Sequence, residues 1–78
     1  MKLTITITDT QKNTFDIQVN SGQRIGTTLR VLKENLSGFT YGENAYIQSD
    51  RTKRRLKPEQ TYEEAYIYTG DKLWIIQN

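Results

Sequence analysis

Residues 54–76 read RRLKPEQTYEEAYIYTGDKLWII, and this stretch fixes the end of the fold. Its last part, Leu73-Trp74-Ile75-Ile76, is the most apolar run in the chain. Alternate residues of a strand point to opposite faces, so a single helix packed on one side covers only two of these four side chains. Thr69-Gly70-Asp71 before it has turn composition. Further back, Thr61 with Glu64 three positions on has the spacing of a capping box. That spacing predicts one helical turn over 62–67, packed through Tyr62, Ala65 and Ile67. Arg54, Arg55 and Lys57 surround a lone Leu56, which reads as a short basic strand halted by Pro58.

The rest of the chain supplies what this ending must pack against. Leu3, Ile5 and Ile7 alternate with Thr4, Thr6 and Thr8, and Phe15, Ile17 and Val19 alternate with Asp16, Gln18 and Asn20. Two period-two runs around the polar break 9–13 predict a hairpin. After Ser21-Gly22 the period lengthens: Ile25, Leu29, Leu32 and Leu36 share one helical face. The expectation is a helix from about Arg24 to Leu36, with Ser21 as N-cap and Leu36-Ser37-Gly38 as its stop. Residues 38–44 read as a polar loop, and 45–49 as a short strand. The order is therefore ββ, helix, β, short β, one-turn helix, β. An economical arrangement is an α+β mixed sheet with the helix laid across one face, the last strand central beside the first. The whole of 1–78 reads as one domain.

Composition narrows the function. Cys and His are both absent, which removes thiol and imidazole nucleophiles, ligands and acid–base groups together. The nine carboxylates are scattered, with no spacing that requires a shared site, and the five glycines form no phosphate loop. No catalytic residue, metal ligand or cofactor is expected. Net charge is only +2, mean hydropathy is −0.75, and five Tyr, two Phe and one Trp argue for a folded domain. The alternating start has no apolar core of a signal peptide, and no run approaches a membrane span. A cytoplasmic protein without membrane insertion is the expectation.

The chain resembles the ubiquitin-like, β-grasp superfamily. The features that carry this are MKLTITITD, TFDIQV, the single helix, AYIQS, and the pattern of Thr61, Tyr62, Ile67, Gly70, Asp71 and Leu73. Within the superfamily it is most similar to the YukD-type, or EsaB-like, proteins associated with bacterial type VII (WXG100) secretion, through its length, its alternating start and TGDKL. The resemblance implies a non-enzymatic protein-binding component of such a system. Conjugated and sulfur-carrying relatives end in a flexible Gly-Gly tail, whereas this sequence reads Ile76-Gln77-Asn78, so attachment to targets is not expected. In ubiquitin the sheet face away from the helix is the main recognition surface.

That face decides the candidate site. The family pattern places Leu73 and Ile75 inward, so Trp74 and Ile76 face outward with Tyr46. Thr4, Thr6, Gln48, Arg54 or Lys72 would form the rim, with Arg55 beside Arg54 in the basic segment 51–57. The expected partner is a larger protein, a type VII machinery component by resemblance, or a second copy of the chain. The alternative is a nucleic-acid-binding accessory domain, with the basic strand on phosphates and Tyr46 or Trp74 on bases. The near-balance of 11 basic and 9 acidic residues weighs against it. An edge strand also carries charge simply to discourage edge-to-edge pairing.

Overall fold

The structure, a computed structural model, describes residues 1–39, 41–42 and 44–77. Strands β1 (Lys2–Thr8), β2 (Thr14–Asn20), β3 (Tyr46–Ser49), β4 (Arg55–Leu56) and β5 (Lys72–Ile76) form one sheet, and helix α1 (Ile25–Asn35) lies between β2 and β3 in sequence. The sheet order is β2-β1-β5-β3-β4. The most apolar strand is thus central, parallel to β1 and antiparallel to β3. This is the placement expected for the most apolar strand: with hydrogen-bonded neighbours on both sides it is not left as an exposed apolar edge.

Period-two patterning becomes a two-sided sheet. Leu3, Ile5, Ile7, Ile47, Leu73 and Ile75 are buried against Ile25, Leu29 and Leu32 of α1. Phe15 and Ile17 are half-buried and pack on the same core. The hairpin turn is built by Asp9, whose Oδ1 accepts the N–H groups of Gln11 and Asn13 at 2.9 and 2.8 Å. A short acceptor side chain satisfying its own turn is why Asp is favoured there.

Three sequence expectations are corrected. The loop 38–44 is not simply polar: Phe39 is fully buried and meets Phe15 edge-to-face at 5.5 Å between centroids. An isolated aromatic has no period to betray it. Thr40 and Glu43 of that loop lie outside the described residues. Ser21 is not the N-cap; Arg24 is, and it makes no side-chain cap hydrogen bond. The free N–H groups of the first helical turn are instead taken by the chain ahead of β5, Ile25 N–H by Gln60 O and Gly26 N–H by Pro58 O, both at 2.9 Å. A Cβ at position 26 would stand 2.9 Å from Pro58 Cβ and 3.1 Å from its carbonyl oxygen. Glycine is therefore a poor helix former placed where two backbones must touch.

The third correction concerns 62–67, where residues 62–66 form a turn rather than a helix. The capping box is present, with Thr61 N–H donating to Glu64 Oε1 and Glu64 N–H to Thr61 Oγ1. Tyr66, however, takes φ +58°, a left-handed conformation that ends any helix there. Tyr62 and Ile67 are buried as the pattern required. Gly70 follows at φ +91°, and its N–H donates to Thr4 O at 2.8 Å, turning the chain into β5 beside β1.

Candidate functional site: the open sheet face

Leu73 and Ile75 are buried, and Trp74 and Ile76 are half-exposed on the other side of β5. Register then decides their neighbours. Tyr46 pairs with Ile76 and Gln48 with Trp74 across β3–β5, while Thr8 lies level with Trp74 on β1. Gln48 is opposite Arg55 on β4. The helix-free face thus carries Tyr46, Trp74 and Ile76 around Gln48, with Thr6, Lys72 and Asp16 one row further on. Thr6 Oγ1 donates to Asp16 Oδ1 at 2.7 Å, which makes that margin polar.

Two residues expected at the rim lie elsewhere. Thr4 sits level with the turn ahead of β5, its N–H donating to Thr69 Oγ1 and its carbonyl accepting from Gly70. Thr4 is thus two residues further than Thr6 from the Tyr46–Ile76 pair along β1. Arg54 precedes β4 and lines a shallow groove with Gln60, Glu64 and Tyr66. Arg55 is the guanidinium that reaches the face, 3.8 Å from the Tyr46 ring centroid.

The aromatic residues are held rather than loose. Trp74 Nε1–H donates to Asp50 Oδ1 at 3.2 Å, and Lys12 Nζ lies 5.3 Å from the indole centroid. Lys53 also reaches Asp50 Oδ1, at 3.2 Å. The hydrogen bond and charge of Lys53 hold the Asp50 carboxyl below its usual range, with the indole N–H and Lys72 adding to the effect. Lys12 and Asp50 were not legible as site residues. Lys12 stands in a turn at φ +68°, and only the folded register brings either residue to Trp74.

The basic segment divides into two groups. Arg51 is structural: its Nε and Nη2 donate to the two oxygens of Asp71 at 3.0 and 3.2 Å, and Nη2 also reaches Tyr66 O at 2.7 Å. Lys53 is engaged by Asp50. Arg54, Arg55 and Lys57 are exposed and make no ion pair among the described residues. Among those residues, no group of three His, Cys, Asp or Glu is placed to hold a metal, and no helix is long and apolar enough to cross a membrane.

No protein-family profile matches the chain, and no curated protein sequence does. Solved structures do. A de novo design based on ubiquitin is 27% identical, with a TM-score of 0.77, over 96% of this chain and 87% of the design. The ubiquitin of Caldiarchaeum subterraneum is 17% identical at TM-score 0.73, over 100% of this chain and 95% of that one. A chain of the ATBAG1–HSP70 complex is 8% identical at TM-score 0.74, with 97% of this chain matching 40% of it. The class is thereby defined: this is a ubiquitin-like α+β domain with the β-grasp arrangement of five mixed strands and one helix across one face.

Proposed function

We propose that the chain is a non-enzymatic adaptor that binds a larger protein through its open sheet face. The observation that carries this reading is the grouping of Tyr46, Trp74 and Ile76, half-exposed together, with both aromatic rings restrained by a neighbour. Aromatic residues beside an arginine have the composition of binding centres. Restraint by Arg55, Asp50 and Lys12 lowers the side-chain entropy lost on docking. The setting we infer, from the resemblance carried by TGDKL at 69–73 and the alternating start, is the cytoplasmic side of a type VII secretion system in a Gram-positive bacterium. Genes for WXG100 proteins and a membrane ATPase beside this one would support that setting.

The direct test is the double variant Tyr46→Ala, Trp74→Ala. Folded by circular dichroism, it should fail to retrieve from lysate the proteins that the wild type retrieves. Retention of the same set would refute the open-face reading. Tight oligonucleotide binding that falls steeply with salt and is lost on charge reversal of Arg54 and Arg55 would replace it with nucleic-acid binding.

A further inference from the structure

A recess of about 340 Å³ opens where the start of α1 passes the β3–β4 edge, a size at the lower end of small-ligand sites. It exists because β4 is only two residues long. The register Ile47↔Leu56 and Gln48↔Arg55 would next set Ala45 beside Pro58 two steps on. Proline has no N–H to continue the ladder, and the chain leaves toward α1, where Pro58 O accepts from Gly26. Between the departing chain and the sheet, Leu29, Ala45, Ile47 and Leu56 form aliphatic walls. Among the described residues, Arg55 and Lys57 are the charged ones that line it; both are exposed and without an ion pair there, and no described carboxylate lines the space.

We propose that this recess docks an acidic segment of a protein partner, one aliphatic side chain entering between Leu29 and Ile47 while flanking carboxylates meet Arg55 and Lys57. The aliphatic walls call for an apolar anchor, and a mouth whose charges among the described residues are two cations without an ion pair selects carboxylates around it. The recess adjoins the open face, sharing Tyr46 and Arg55 with it, but Trp74 and Ile76 do not line it.

The test is a titration of the ¹⁵N-labelled chain with the capped peptide Asp-Glu-Leu-Asp-Glu to millimolar concentration, followed by amide shifts. The shifts should centre on Leu29, Ala45, Ile47 and Leu56. Replacing the peptide leucine by alanine should weaken binding about tenfold, and Lys57→Glu should weaken it several-fold, whereas Trp74→Ala should leave it unchanged. Ala45→Leu, which fills the recess, should abolish the response, and its dispersed spectrum would show that the fold persists. Shifts centred on Trp74 and Ile76, equal binding of the leucine and alanine peptides, a stronger response to an oligouridine of equal length, or no shift at all would each overturn the proposal.

Discussion

The Arg55 guanidinium stacks on the ring of Tyr46, 3.8 Å from its centroid, across the β3–β4 edge. Gln48 is the residue opposite Arg55, so Tyr46 is its diagonal neighbour, within reach of a long side chain. The contact joins the edge strand to the apolar centre of the open face. An exposed pair of this kind contributes about 0.5–1 kcal/mol. Arg55→Ala should lower stability by that amount in chemical denaturation, while Arg54→Ala, whose side chain does not reach Tyr46, should leave stability within error.

Trp74 is the only tryptophan, so its fluorescence reports this face alone. Asp50→Ala removes the acceptor of the indole N–H. The variant should stay folded, with red-shifted emission and faster acrylamide quenching. In the wild type the same change should appear on acidification only below the ordinary carboxylate range, because the folded-state pKa of Asp50 is depressed by Lys53.

Asp71 links the start of β5 to the β3–β4 connection. Burial alone would raise its pKa, but hydrogen bonds from Arg51 and Tyr68 N–H, with the charge of Arg51, outweigh it and hold the carboxyl below its usual range. A depressed carboxylate adds stability that is fully present above the unfolded value, about 4, and is lost as pH falls through the folded value. Arg51 is about half exposed, which discounts the charge effect. Asp71→Asn should therefore cost about 1–2 kcal/mol at neutral pH, lowering Tm by roughly 5–10 °C. That difference should shrink in melts below about pH 4.

Tyr62 behaves in the opposite sense. It is fully buried, and its hydroxyl has no hydrogen-bond partner among the described residues. Burial pushes the phenol up to about 12, a rise that the nearby Thr28 hydroxyl opposes only in part. A raised acid keeps its full contribution below the unfolded value near 10 and loses it as pH climbs toward the folded one, about 2–3 kcal/mol in all. Tyr62→Phe should match or exceed wild-type stability at pH 7 by up to about 1 kcal/mol. It should also blunt the loss of stability between about pH 10 and 12.

Where a residue's role follows from periodicity, the sequence reveals it. The alternation at 3–7 and 15–19, the apolar face of α1 and the inward Leu73 and Ile75 all appear as read. The grouping of Tyr46, Trp74 and Ile76 follows from the same parity once β3 is placed beside β5. What escapes is whatever depends on tertiary closure. The carbonyls of Pro58 and Gln60 replace a side-chain cap on α1, a buried Phe39 occupies a polar loop, and Lys12 reaches Trp74 from a turn. No local pattern encodes these contacts, because their partners lie tens of residues away. The division of the basic segment between Arg51, locked to Asp71, and Arg55, stacked on Tyr46, is likewise a product of register.

The claim that the helix-free face meets the partner is open to one direct measurement. A photo-reactive phenylalanine derivative at Gln48, in the middle of that face, is compared in living host cells with the same group at Val31, exposed on α1. Docking through the open face predicts a discrete crosslinked protein adduct from position 48 and none from position 31. An adduct from position 31 with none from position 48 would contradict it.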